Sequence, residues 1–248
     1  MLRADVKNAI NRLWPRHVVE MDIDYESGWF LDVQEELTSA LSKVRGGRVL
    51  FEREPMGTPW SDPDEDEWSD SDQHEDVLPE CSNDRSYQLY FVASKSALLR
   101  FHSETDDYPD DYYDDDEEPP PPEKVSGTGY SGWCVAVSVL APFAVITPGD
   151  RVEYENGSST EPTIEWVIQS SDGRMVEAEE YVRETVGRKP YALLQSLRRR
   201  IAETLEKFGV TVLPQDEWKK PVRGLRASSE VIAHEPLRVL DAFFFEAM

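Results

Sequence analysis

The spacing of apolar residues in the first fifty positions predicts two helices and two strands. Apolar residues recur at helical spacing between residues 6 and 14, and Pro15 ends this pattern. A second helical pattern covers residues 33–44 and closes at Gly46-Gly47, where a helix end favours positive φ. Apolar and polar residues alternate in residues 17–24, which predicts a strand, and a second short strand is expected at residues 48–54. The order is therefore helix, strand, helix, strand.

The middle of the chain predicts an antiparallel sheet. Short strands are expected at residues 87–93, 98–101, 133–140 and 143–146, with Pro142 separating the last two because proline cannot donate to a central ladder. Alternation continues from Val152 to Ile168, and Asp172-Gly173 is a hairpin turn signal. These patterns favour consecutive antiparallel strands.

The last third of the chain is mainly helical in pattern. A weak helix is expected at residues 176–186, followed by a strong one that begins near Pro190 and ends at Gly209. A short strand is expected at residues 210–213 and a final apolar segment at 231–245. The fold class is therefore α+β, with an antiparallel sheet in the middle of the chain and helices near both ends.

Composition divides the chain into one core with two disordered acidic insertions. Both insertions are rich in Pro, Ser, Asp and Glu, which is typical of solvated loops. The predicted parts are core at 1–54, insertion at 55–86, core strands at 87–103, an acidic and polyproline insertion at 104–124, and core at 125–248. Both insertions flank the same pair of predicted strands, so we expect them on one side of the fold.

The net charge of −24 is concentrated in these insertions. Residues 61–80, the first acidic segment, contain ten acids and no Lys or Arg, and residues 104–118, the second acidic segment, do the same. Removing these twenty acids leaves thirty acids against 26 bases, so the remaining chain carries only −4. The excess of acidic residues therefore lies in these two segments, and the rest of the chain is a nearly neutral scaffold.

The charge and the composition of the chain argue against nucleic-acid binding, secretion and insertion into a membrane. Direct nucleic-acid binding is disfavoured because it depends on Lys and Arg neutralising phosphates. Two cysteines form no disulfide framework, and we find no secretory signal or apolar run that would span a membrane. We therefore expect a cytoplasmic protein.

No catalytic, cofactor or metal signature is prominent. Cys134 could act as a nucleophile with His234 and Asp241, but the residues after it follow a strand pattern, which favours a buried cysteine. The four histidines are scattered singly, and the acids that begin at Asp62 lack the glycine and the final glutamate of a calcium loop. We expect no cofactor and no dedicated metal site.

The acidic segments contain the predicted partner-binding residues. Tyrosines alternate with acids in the second segment, and tryptophans lie in or next to the first; such aromatics supply contact area while the acids attract a basic partner. The candidate residues are Trp60, Trp68, Tyr108, Asp110, Asp111, Tyr112, Tyr113, Asp114, Asp115 and Asp116.

Residues 183–226, the basic segment, hold eleven bases against five acids. Its Arg198-Arg199-Arg200 triplet is expected opposite the apolar helix stripe, either as a solvated face or as a docking site for one of the chain's own acidic segments.

The leading hypothesis is a binding protein that captures a basic protein partner, as an immunity protein or antitoxin neutralises a cationic toxin such as a nuclease. One alternative is a nucleic-acid mimic that inhibits a DNA- or RNA-binding protein. Such a mimic needs acids fixed at phosphate-like spacing. Another alternative is a hydrolase that depends on Cys134.

Overall fold

A computed structural model describes most of the scaffold of this chain. The described residues are 2–19, 29–53, 86–105, 123–155, 157–160, 162, 167–169, 175–177, 183, 188–228 and 236–244. The helices are α1 (Ala4–Leu13), α2 (Gln34–Ser42), α3 (Arg188–Lys207), α4 (Gln215–Trp218) and α5 (Val239–Phe243). The strands are β1 (Val18–Val19), β2 (Gly47–Arg53), β3 (Tyr87–Thr105), β4 (Glu123–Ser138), β5 (Phe143–Tyr154), β6 (Val167–Gln169), β7 (Met175–Glu177), β8 (Thr211–Val212) and β9 (Arg226–Ala227).

The centre of the fold is a five-stranded sheet in the order β2-β3-β4-β5-β8. The first four strands are antiparallel, and β8 joins the edge parallel to β5. The predicted α+β class, with a mostly antiparallel sheet in the middle and helices near both ends, is confirmed. The strand at 210–213 was also predicted, but its parallel direction follows from α3, which separates β5 from β8 and returns the chain along the sheet.

A single long strand replaces two of the predicted short ones. The strand β3 continues from Tyr87 to Thr105, with a register shift between Ala93 and Leu98 where it pairs with β4. Polar residues 94–96 interrupt the apolar pattern there, which is why the sequence suggested a strand break. Beyond this irregularity, Leu98–Thr105 still pair with Glu123–Tyr130.

Helices cover both faces of the sheet. On one face, Thr38 of α2 is hydrogen-bonded to the Tyr90 hydroxyl at 2.9 Å, and Trp133 of β4 donates its indole N–H to Leu194 O of α3 at 2.8 Å. On the other face, the rings of Phe143 and Phe243 are 5.0 Å apart. Every residue of β3 from Tyr87 to Ser94 is therefore buried, on both faces.

The remaining strands form two small sheets. The strands β1 and β9 are parallel, and β6 and β7 form an antiparallel pair around the predicted turn at Asp172-Gly173, whose residues lie outside the described ones. Val176 belongs to β7, so the helical prediction for 176–186 is wrong at its start. Short β-branched stretches fit a strand as well as a weak helix, and periodicity does not separate them.

Candidate binding site

The ten predicted partner-binding residues lie outside the described part of the chain. These are Trp60, Trp68, Tyr108, Asp110, Asp111, Tyr112, Tyr113, Asp114, Asp115 and Asp116. Their assignment stays a prediction. The described residues nevertheless define where both connections join the scaffold.

The two acidic segments join the sheet at opposite ends of β3. The connection that contains the first segment, residues 54–85, leaves β2 after Arg53 and enters β3 at Ser86. The connection that contains most of the second segment, residues 106–122, links Thr105 of β3 to Glu123 of β4. From the sequence we expected both segments on one side of the fold, because they flank what looked like a pair of strands. That expectation is wrong, since the pair is one continuous strand.

The second connection is carried by a two-stranded extension of the sheet. The pairing of β4 with β5 stops at Gly127 and Tyr154, whereas β4 remains paired with β3 as far as Glu123 and Thr105. Glu155 N–H still donates to Ser126 O at 2.9 Å, so in the described part of the chain the final three residue pairs of this hairpin have no third strand beside them. The hairpin therefore places its connection beyond the edge of the three-stranded region.

A second candidate feature is a cleft of about 350 Å³ between α3 and the β5–β8 edge. It has an apolar floor and a cationic wall, and we call it the arginine cleft. Its lining residues are Ile146, Gln195, Arg198, Arg199, Ala202, Val212 and Pro214.

The sheet holds the cationic wall in position through Trp133. The indole ring is 1% exposed, and the guanidinium carbon of Arg198 lies 5.4 Å from a ring centroid. Ile146 pairs with Val135, two residues after Trp133 on the same face of β4, so the cleft floor and the tryptophan belong to the same face of the sheet. Gln195 at the wall donates to the Tyr191 hydroxyl at 2.7 Å.

The arginines of the cleft have no acidic partner among the described residues. Arg198 Nε is buried and has no hydrogen-bond partner there, and Arg199 is exposed. Neither forms an ion pair within the described part of the chain. The chain has 50 acidic residues, yet within its described part none of them pairs with these two adjacent arginines.

The arginine triplet only partly matches the predicted solvated face. Arg199 is exposed, but Arg198 packs over Trp133, and Arg200 donates to Arg45 O at 2.6 Å. The long aliphatic stems of arginine allow such packing beside an apolar stripe. Arg198 and Arg200 therefore flank the buried Leu197 stripe, and only Arg199 lies opposite it.

The other face of the sheet carries a polar group of residues that bond one another. Tyr130 donates its hydroxyl to Glu153 at 2.9 Å, and this hydrogen bond, together with burial, raises the pKa of Tyr130. Arg151 lies 5.3 Å from the ring centroid of Phe51 and donates to Ser159 Oγ at 2.6 Å. These contacts hold residues 157–160 against β5.

The cysteine hypothesis receives little support from the described residues. Cys134 is 1% exposed within β4, as the strand pattern predicted. Asp241 accepts a hydrogen bond from the Arg238 backbone N–H at 2.6 Å at the start of α5, and His234 lies outside the described residues. A buried thiol is a poor nucleophile because substrate cannot reach it.

The described residues also lack two other features. They contain no group of three or more His, Cys, Asp or Glu residues that could hold a metal ion. Within that same part of the chain, no helix is both long and apolar enough to cross a membrane.

Comparison of the chain with models of protein families, with curated proteins and with solved structures finds no match.

Proposed function

We propose that this protein binds a basic protein partner through its acidic segments. The observation that carries the proposal is the separation of charge: twenty acids lie in two segments, and the rest of the chain is nearly neutral at −4. Charge gathered in connections between strands attracts an oppositely charged surface, whereas charge spread over a scaffold mainly gives solubility.

The second acidic segment is the better candidate for direct contact. The hairpin of β3 and β4, which bears this connection, continues beyond the last residue pair of β4 with β5. The predicted contact residues there combine Tyr108, Tyr112 and Tyr113 with acids on both sides. Tyrosine is enriched at interface hot spots, and carboxylates speed the encounter with a basic protein.

The class of partner follows from the same charge argument. A cationic toxin such as a nuclease exposes a basic active-site cleft that binds phosphates, and an acidic segment can occupy that cleft. We therefore propose inhibition of the immunity or antitoxin kind, in which binding rather than catalysis is the activity. The burial of Cys134 is consistent with that choice.

Affinity capture with the intact chain tests the proposal. The chain would be compared with variants in which the first segment, the second segment or both are replaced by Gly/Ser of equal length. A control variant neutralises four exposed acids on α2 and α3: Glu35, Glu36, Glu203 and Glu206. We expect basic proteins to be captured by the intact and control chains and lost when the second segment is replaced.

Two results would contradict the proposal. One is an unchanged set of captured proteins after both segments are replaced. The other is a set of partners that are not basic.

A further inference from the structure

We propose that the arginine cleft is the docking site of the chain's own first acidic segment, residues 61–80. The inference concerns a contact within the chain and does not depend on the identity of any partner. It assigns an occupant to the two arginines of α3 that have no acidic partner within the described ranges.

The chemistry of the cleft matches this segment. Arg198 and Arg199 supply two cations with no acidic partner among the described residues, while Ile146 and Val212 supply an apolar floor. The first segment combines ten acids with Trp68 near its middle, so it offers carboxylates for the wall and an aromatic ring for the floor. Arginine forms strong, directional hydrogen bonds with carboxylates.

The first segment can reach the cleft. Arg53 is the residue of β2 at which the first connection leaves the sheet. The residue pairs of β2 with β3, of β3 with β4 and of β4 with β5 align Arg53 with Val145 of β5 across the sheet. The lateral separation is three strand spacings, or about 15 Å. Trp68 follows Arg53 by fifteen residues, which span up to about 50 Å when extended.

The second segment is anchored too far from the cleft floor to lie on it. Its anchor Glu123 lies twelve residues along β4 from Val135, the partner of Ile146, which is a distance of about 40 Å along the strand. The midpoint of its connection, Asp114, is nine residues from either anchor and extends at most about 30 Å. Charge alone would suit either segment, but chain length selects the first.

Tethering also favours the first segment over free acidic ligands. A connection of this length, fixed to the sheet at both of its ends, holds its segment at an effective concentration in the millimolar range. In the docked arrangement, the first segment neutralises the basic wall of α3. The second segment then remains available for a basic partner.

Limited digestion of the intact chain with a Glu-specific protease tests this contact. Cleavage at Glu65, Glu67 and Glu75 reports the first segment, and cleavage at Glu117, in the connection between β3 and β4, reports the second as an internal reference. The cleavage rate of the first segment is divided by that of the second, so that any change in the activity of the protease cancels.

Arg199→Gln and Lys207→Gln form a matched pair of variants. Both residues are exposed on α3 and both changes remove one positive charge, but only Arg199 lines the cleft. We expect Arg199→Gln to accelerate cleavage of the first segment about three- to tenfold relative to the second, the size expected for losing one or two exposed ion pairs. Lys207→Gln should leave the ratio unchanged. About 1 M NaCl should reproduce the effect in the unaltered chain.

Three results would overturn the proposal. An unchanged ratio in Arg199→Gln means that the segment does not occupy the cleft. An equal effect of Lys207→Gln means that only net charge matters. Protection that depends on protein concentration means that the occupant is a second copy of the chain.

Discussion

Replacing Trp133 with phenylalanine tests how the sheet holds the helix that forms the arginine cleft. Trp133 is buried, donates to Leu194 O at 2.8 Å and packs under Arg198. Phenylalanine keeps an aromatic ring but lacks the N–H donor and the second ring. The substitution therefore removes the hydrogen bond between sheet and helix and opens a small cavity.

The expected cost follows from three losses. The hydrogen bond contributes about 1 kcal/mol net. A smaller ring weakens the contact with Arg198 by about 0.5 kcal/mol. A cavity of about 40 Å³ costs about 1 kcal/mol at ~24 cal/mol per Å³. Trp133→Phe should therefore lower the free energy of unfolding by about 2.5 kcal/mol.

Trp29→Phe is the matched control. The Trp29 indole N–H has no hydrogen-bond partner among the described residues, and its side chain is only partly buried. The same change of atoms should cost less than about 1 kcal/mol there, because no hydrogen bond is lost. Urea denaturation followed by circular dichroism measures both variants. Equal losses in the two variants would refute the role assigned to Trp133.

Two further substitutions test other parts of the scaffold. Burial raises the pKa of Glu217, but hydrogen bonds from Lys220 and the Arg3 backbone lower it further, to a net value below the ordinary 4.5. The stabilisation by ionised Glu217 is therefore present above pH 4.5 and is lost as the pH falls through the lower folded-state pKa. Glu217→Gln should lower the free energy of unfolding by about 1–2 kcal/mol at pH 7 and by progressively less on acidification. A loss in urea denaturation that is the same at pH 7 and pH 3 would contradict this. A Cβ on Gly149 would lie 2.4 Å from the Cys134 sulfur, so Gly149→Ala should destabilise the protein by about 2 kcal/mol, and adding Cys134→Ala should recover part of that loss. Strictly additive losses in thermal unfolding would show that the two residues do not compete for space.

Local patterns were sufficient to predict most elements of the fold. The helix α3 is an example, because its stripe of Leu194, Leu197, Ile201 and Leu205 is buried and Gly209 after it has φ +75°. A helix-ending glycine and a helical repeat of apolar residues each depend only on residues a few positions apart. Both can therefore be recognised in a single sequence.

Features that depend on distant pairing were not predictable in this way. The parallel edge strand β8 and the continuity of β3 across residues 94–97 are set by hydrogen bonds to remote strands. The arginine cleft has the same origin. The sequence identified Arg198 and Arg199 as a basic group, but only the fold brings Ile146 and Val212 beside them.

The salt dependence of partner association tests the central claim most directly. The association rate of the captured basic protein would be measured from about 0.05 to 0.5 M salt, for the intact chain and for the chain with both acidic segments replaced. We predict a rate for the intact chain that falls steeply with salt, and a slower, nearly salt-independent rate for the replaced chain. Equal rates with equal salt dependence would place recognition on the nearly neutral scaffold and contradict the account.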